Sequence, residues 1–249
     1  MRWLVGDLQG CARPFAALLK MIHFDPGQDE IWCLGDLINR GPDSLATLRL
    51  WRDIGGKAVL GNHDVYALST RAGIWPRKRD TLQELFAAPD CDELLLELAM
   101  LPVLVHLPVE DPKRQDVWII HAGLHPQWKN LHEVSIKLQE GAPAIERLRR
   151  PEVRFGTTVR CCSEEGERSH HDGAPEDCPL PYRPWDSFYE GPDFIVHGHW
   201  ALRGFYRSSK SMGLDSGCVY GGPLTAWCVE EDRIVQVPPE PPYLRSAKM

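Results

Sequence analysis

Residues 33–44 read CLGDLINRGPDS. An apolar run stops at Gly35-Asp36, three residues lead to Asn39-Arg40-Gly41-Pro42, and Asp43-Ser44 then opens the amphipathic stretch "DSLATLRLWRDI". A buried strand that ends on a glycine and a carboxylate, followed by a capped helix, is the expected reading. The same form recurs in "RWLVGD" (2–7), "EIWCLGD" (30–36), "KAVLGNHD" (57–64), "VWIIHAG" (117–123) and "FIVHGHW" (194–200). Each is a short run rich in β-branched, aromatic or Leu residues that ends in a turn residue and a polar one, as strands do.

Between the first two runs, "ARPFAALLKMI" places Phe15, Leu18, Leu19 and Ile22 on one helical face. Strand, helix, strand, helix, strand over residues 2–72 is a βαβαβ order, so these strands should be parallel with helices on a face of the sheet. Sites in such sheets gather at the carboxyl ends of strands. The stretch 77–102 predicts two further helices, the second capped near Asp90 or Asp92 and ended by Pro102, as a helical cover and not a second domain. A helical stretch is expected up to about Arg150, then a loop over 162–186 crowded with Gly, Pro and charge. Residues 211–237 alternate apolar runs and turn signals and predict antiparallel strands. One domain spanning 1–249 is expected, with 240–249 as a flexible tail.

With 43% hydrophobic residues, 249 residues can bury one sizeable core. A formal charge of −7 argues against a general footprint for DNA or an anionic membrane, so attraction for a phosphorylated partner must be local. No window of about 18 apolar residues occurs. The cysteines at 11, 33, 91, 161, 162, 178, 218 and 228 contain no CxxC pair and read as buried reduced thiols. A cytoplasmic protein is the expectation.

Asp7, Asp36, Asn62, His121 and His199 stand at successive strand ends and offer oxygen and imidazole donors without a thiolate. That set suits Mn, Fe, Co or Zn in a five- or six-coordinate catalytic site better than structural zinc. Singly, each has a plain alternative: Gly-Asp at a strand end is common, and a lone His after "VWII" is more often a hydrogen-bonded core residue. The ordered series makes the metal reading stronger. His197 competes with His199, because two residues apart on a strand both would face the same side. His170 and His171 read as solvated loop residues. Asp215 reads as a turn carboxylate or as a partner behind the ligands. Trp128, Trp185 and Tyr220 are aromatic candidates for stacking a base, although most of the nine tryptophans should be core or rim.

The chain resembles the calcineurin-like metallophosphoesterases, whose pattern runs GDxHG, GDxxDRG, GNH(D/E), a HAG- or HGG-type His and a late GH. Here these are "GDLQG", "GDLINRG", "GNHD", "HAG" and "GHW". Within them it is similar to the symmetrical diadenosine tetraphosphatases through "GDLINRGPDSL", "RKRDTL", "AAPDCDELL", "HAGLHPQW", "GHWA" and "LDSGCVYGG", over roughly residues 1–130 and 185–230. The resemblance implies an α/β sandwich of mixed sheets flanked by helices and two divalent ions, with manganese first among the candidates. Asp36 would bridge the ions, Asp7 and Gln9 would complete one site, and Asn62, His121 and His199 the other. His63 would be the general acid. Arg40 would hold phosphate oxygens, with Arg160 as a second clamp. The implied reaction is symmetric hydrolysis of a dinucleoside polyphosphate, diadenosine tetraphosphate giving two ADP, through a metal-bridging hydroxide. A phosphatase of the same fold acting on phosphoprotein or on nucleoside-capped RNA ends is the alternative, and a binding module without catalysis is the third reading.

Two positions depart from the wider pattern. Gln9 stands where His is usual, and a carboxamide is the weaker ligand. Asn39 stands where protein phosphatases carry the Asp that pairs with the catalytic His. An amide cannot stabilise an imidazolium as a carboxylate does, so His63 should titrate lower and the site should favour an acidic leaving group, as in an anhydride.

Overall fold

The structure is a computed structural model that describes residues 1–238, 241 and 243. The expected flexible tail at 240–249 therefore lies, apart from Pro241 and Tyr243, outside the described residues. The strands are β1 (Arg2–Val5), β2 (Glu30–Cys33), β3 (Lys57–Ala58), β4 (Leu104–Leu107), β5 (Val117–Ile120), β6 (Cys161–Cys162), β7 (Arg183–Pro184), β8 (Phe194–His197), β9 (Tyr206–Arg207), β10 (Ser211–Gly213), β11 (Leu224–Cys228) and β12 (Arg233–Val237). The helices are α1 (Ala12–Met21), α2 (Ser44–Asp53), α3 (Asn62–Arg71), α4 (Gln83–Ala87), α5 (Cys91–Met100), α6 (Leu131–Gln139) and α7 (Pro151–Thr158).

One sheet has the order β12-β11-β1-β2-β3 and the other β4-β5-β8-β10-β9. Strands β1, β2 and β3 are parallel, as the βαβαβ order requires, while β11 runs antiparallel to β1 and to β12. In the second sheet β5, β8 and β10 are parallel and the edges antiparallel. The fold is thus a sandwich of two mixed sheets flanked by helices. Alternation explains the layers. Leu4, Val117, Ile119, Val196 and Met212 meet between the sheets. Their neighbours Trp3, Val5, Trp118, Ile120 and Ile195 face outward under the helices, packed in one core with Phe15, Leu18, Leu48 and Leu98. Both faces of the central strands are buried, which is why they read as continuous apolar runs.

Several expectations need correction. The expected antiparallel pairing holds for β11–β12 and for β10 with β9, but β10 is parallel to β8, because the chain first runs back along the edge as β9. Strand β4, helix α3 and helix α7 lacked a usable pattern. Helix α3 spends its first turn on Asn62, His63 and Asp64, and α7 carries Gly156 and two threonines. Neither Asp43 nor Asp90 makes a side-chain cap bond. Asp90 instead takes both arms of Arg49, at 3.0 and 2.7 Å, fastening α5 to α2. The 162–186 segment is largely irregular as expected, but its Cys178 forms a disulfide with Cys161, the residue just before it, so these two are not reduced thiols. The short β6–β7 pair and the 3₁₀ turn at Pro175–Asp177 bring the two Cα atoms to 6.2 Å, a proximity that no local spacing announces. The other six cysteines are buried and form no disulfide. His171 is half-buried, and its Nε2 donates to the Ala174 carbonyl (2.9 Å), unlike a freely solvated residue.

The helical cover is held by a buried cation. Arg147 donates to the carbonyls of Leu138 (3.0 Å), Ala99 (3.1 Å) and Leu101 (2.8 Å) and to Gln139 Oε1 (3.2 Å). Burial pulls its guanidinium down to about 10, and the carbonyl ring compensates for the lost hydration.

Candidate active site

All five predicted segments deliver their polar residues to one place. Asp7, Asp36 and Asn62 follow β1, β2 and β3 of one sheet, and His121 and His199 follow β5 and β8 of the other. The loops after β1 and β2 are tied by Gln9 N to Asp36 O (2.6 Å) and Gly10 N to Leu37 O (3.0 Å). Across the sheets, His121 Nδ1 donates to Leu34 O (2.7 Å) and His199 N to Asp7 Oδ1 (3.0 Å). Gly35, at φ +90°, is needed where the sheets meet: a Cβ there would sit 2.6 Å from His121 Nδ1.

The donor arrangement can be read atom by atom. With Nδ1–H committed to a carbonyl, His121 Nε2 carries a bare lone pair, yet it stands 3.0 Å from Asn62 Oδ1 and 3.5 Å from Asp36 Oδ1. Three acceptors therefore converge with no proton between them, although His63 N donates to Asp36 Oδ1 from outside (2.7 Å), and a cation resolves the arrangement. His199 Nε2 donates to Thr158 O (3.2 Å), which leaves its Nδ1 as the lone-pair nitrogen, and its ring lies 5.0 Å from that of His121. Ligand atoms of Asp36, His121 and His199 all fall within 4.8 Å of one another. Asp7 Oδ2 is buried without a hydrogen-bond partner. Gln9 Nε2 donates to Asp36 Oδ2 (3.3 Å).

His197 is not part of this group. Its ring packs edge-on against Trp185 at 5.3 Å and its Nδ1 donates to Gly198 O. Burial pulls it down to about 4. Arg160 is half-buried beside the centre, with Nη2 3.4 Å from His199 O, and is not among the side chains lining the groove described below. Trp185 is fully buried and shares a separate cavity of about 440 Å³ with Trp128.

His63 and Asn39 form the second half of the site. Asn62 and His63 sit in the first turn of α3, not on a free loop. Asn39 Oδ1 accepts Arg40 N (2.8 Å) and Thr81 N (3.3 Å), which turns its Nδ2 toward His63 Nδ1 (3.1 Å). The amide donates, so His63 Nδ1 accepts and the ring proton sits on Nε2. Arg40 Nε–H is directed at that same Nε2 from 3.4 Å, a longer contact than the amide's and one that competes with a proton there.

Two positioning residues were missed or underweighted. Asp64 is buried and accepts from Gly61 N, Asp36 N and Leu37 N at 2.9–3.0 Å, so one carboxyl fixes both loops and caps α3. The fourth letter of "GNHD" was the available signal. Asp215 holds its turn through Gly217 N (3.0 Å) and also faces Asp7. Both readings of that residue hold. A groove of about 1030 Å³ opens beside Asn62 and His63. Six cationic side chains line it: Arg40, Lys78, Arg79, Arg149, Arg154 and Arg168, with Tyr66 and Trp75 among them. The clusters at 77–79 and 147–150 in an acidic chain were the signal for this.

Electrostatics agree with a site built for cations. Burial, then Asp215 and Asp36, hold the Asp7 carboxyl well above its usual range. Burial would raise Asp36 too, but His121 and His63 keep it low. Burial, then Asp36, raises Asp64 well above the ordinary carboxylate range, and burial lifts Asp215 to about 6. Burial lowers His121 and His63, and lowers His199 strongly with help from Arg160. Four carboxyls share one dry pocket, and divalent ions would supply the positive charge it needs.

A sequence model of the calcineurin-like phosphoesterases matches residues 2–203. The chain belongs to that family. Among curated relatives, a protein of Aromatoleum aromaticum is 38% identical over 94% of this chain and 96% of its own length. One from Methylobacillus flagellatus is 35% identical over 96% and 95%. Both are named symmetrical bis(5'-nucleosyl)-tetraphosphatase. The crystal structure of a candidate diadenosine tetraphosphatase superposes with a TM-score of 0.69 at 29% identity, covering 96% of this chain and 93% of that one. A yeast protein serine/threonine phosphatase, 13% identical with a TM-score of 0.61 over 96% and 80%, shares the fold alone.

In this family member the site backbone is held in an unusual conformation. Gln9, Asp36, Asn39, Arg40 and His199 all have positive φ, from +45° to +73°. Non-glycine residues seldom adopt it, and here it clusters at the centre, where surrounding hydrogen bonds impose it. A tight fit enforces it as well: a Cβ on Gly61 would overlap Asp36 N and Oδ1. Gly61→Ala should therefore lower stability by roughly 1–3 kcal/mol, as overpacking does. Urea unfolding measures this, and an unchanged midpoint would contradict the fit.

Proposed function

We propose that this chain is a two-metal hydrolase that cuts dinucleoside polyphosphates symmetrically, diadenosine tetraphosphate giving two ADP, and that it acts as one metallophosphoesterase domain. The observation that carries the reading is the groove: six cations gathered in a chain of net charge −7, leading to Asn62 and His63. A phosphate chain would be held by this local positive field while Tyr66 and Trp75 offer aromatic faces to a base. Names of full-length relatives point to the same substrate.

In this reading Asp7, Gln9 and Asp36 hold one ion, and Asp36, Asn62, His121 and His199 the other. The converging acceptors and the unpartnered Asp7 oxygen fit such ions. Oxygen and imidazole donors without thiolate suit manganese, with Co, Fe or Zn as substitutes. When bound, the pair neutralises phosphate charge and makes water more acidic. Arg40, at the mouth of the groove, orients non-bridging oxygens. Arg160 acts from behind the centre, through His199 and as counter-charge to Asp7, Asp36 and Asp215. His63 would direct its Nε2–H as a hydrogen bond at the departing nucleoside diphosphate oxygen, which leaves without taking the proton. Asn39 keeps that proton on Nε2 in the neutral ring, so no imidazolium is needed for a leaving group this acidic. A cytoplasmic location belongs to this proposal: six of the eight cysteines are buried thiols, which suits a reducing compartment, where the Cys161–Cys178 bond would be open. Among the described residues no helix is long and apolar enough to cross a bilayer.

Chromatography of products tests the reaction. Diadenosine tetraphosphate should give only ADP, and ATP plus AMP would sink the proposal. Asp36→Asn should abolish turnover and His63→Ala lower it by about 10²–10⁴. A nucleoside-capped RNA end presents a similar anhydride, and competition at equal concentration ranks the two. Metal analysis separates the two histidines: His199→Ala should lose bound divalent ion, whereas His197→Ala should keep it. Equal metal content in both variants would remove His199 from the ligand set.

Asn39→Asp should change the pH profile. A carboxylate would take the Nδ1 proton and stabilise the imidazolium, raising the His63 pKa above its wild-type position. The Nε2 proton would then be lost as pH rises through that raised value, giving a basic limb that the wild type lacks. Superimposable profiles of kcat/KM against pH would refute the tautomer assignment.

A further inference from the structure

The irregular segment after β6 carries donors that the groove does not use. Cys161, His171 and Cys178 place one ligand atom each within 4.8 Å of one another. Cys161 is buried in β6, and Cys178 follows the 3₁₀ turn. His171 folds back over Gly173, where a Cβ would sit 2.7 Å from its Cε1. The Ala174 carbonyl takes the proton on His171 Nε2 at 2.9 Å, which leaves Nδ1 as the lone-pair nitrogen. A backbone carbonyl on the other ring nitrogen is the usual outer partner of a metal-ligating imidazole. Six carboxylates and one arginine lie between the two cysteines, a field that favours an approaching cation.

We propose that Cys161, His171 and Cys178 form a second metal site, specific for a soft divalent ion such as Zn²⁺, that is available when the disulfide is reduced. Two thiolates and an imidazole are a zinc donor set, distinct from the thiolate-free centre at the strand ends. His171 and Cys178 are half-exposed, so water completes the tetrahedron. Cys162 takes no part: strand alternation turns it to the opposite face, and burial pushes its thiol up to about 12.

The conversion balances simply. A dithiol reductant delivers two electrons and two protons, becoming a disulfide as the Cys161–Cys178 bond opens to two thiols. Zn²⁺ then replaces the two thiol protons, which pass to solvent. With Zn–S near 2.3 Å, the sulfurs need to separate only to about 3.7 Å, within reach of Cα atoms 6.2 Å apart. The site adjoins the catalytic centre through Arg160, the residue before Cys161, and through Trp200 Nε1, which donates to Gly173 O (2.8 Å). It stands whatever the groove cleaves.

Cobalt tests it without reference to hydrolysis. The full-length protein, reduced with a phosphine and freed of metal, is titrated with Co²⁺. Thiolate ligation gives a sulfur-to-cobalt charge-transfer band that the oxygen and imidazole centre cannot produce. The band should appear in reduced wild type, be absent from the oxidised protein, vanish in Cys178→Ser and weaken in the half-exposed His171→Gln. Added Zn²⁺ should bleach it. No band in the reduced wild type, or a band that survives Cys178→Ser, overturns the proposal.

Discussion

Two hydrogen bonds across the sandwich, His121 Nδ1 to Leu34 O and His199 N to Asp7 Oδ1, hold the carboxyl ends of the two sheets together. Everything at the centre follows from that seam. It sets which imidazole nitrogen keeps its lone pair, and it buries Asp7 and Asp36 where water cannot solvate them. Burying unpaired carboxylates is costly, by several kcal/mol per ion. The chain offsets part of that cost with backbone N–H groups: His199 N donates to Asp7, His63 N to Asp36, and three more to the equally buried Asp64. What remains is a surplus of inward-facing acceptors, which is the physical meaning of a preformed cation site.

The strand ends were legible because their chemistry is local. A short apolar run can only be a buried strand if its edges are punctuated by turn residues, and glycine beside each polar residue marked the punctuation. Order along the chain then gave the parallel β1-β2-β3 core and the gathering of Asp7, Asp36, Asn62, His121 and His199. What stayed hidden is non-local or conformational. The ambiguity between His197 and His199 rested on two-residue alternation, yet β8 ends at His197 and His199 has φ +67°, so alternation does not reach it. The cations of the groove come from separate segments, and Cys161 finds Cys178 through a turn with no periodicity of its own. Helix α3 was concealed because its opening residues are chosen for chemistry, not for an apolar face.

In the proposed function, Asn39 is the local exchange that would set this chain apart within a shared architecture. A protein serine/threonine phosphatase has the same fold at 13% identity, so the scaffold does not choose the bond to be cut. The amide of Asn39 is oriented by two backbone donors, and through it the fold dictates where a single proton rests on His63. In the same proposal, charge along the groove would select what approaches that proton.

The buried Arg147 has a bearing on how this enzyme could be remodelled. It is bound only by oxygens of α5, α6 and their ends, while Leu148 and Arg149, its immediate neighbours, form part of the groove wall. This part of the cleft wall is thus anchored by a guanidinium buried behind it. An engineer seeking roomier or narrower specificity would begin at this rivet, leaving the cation chemistry intact.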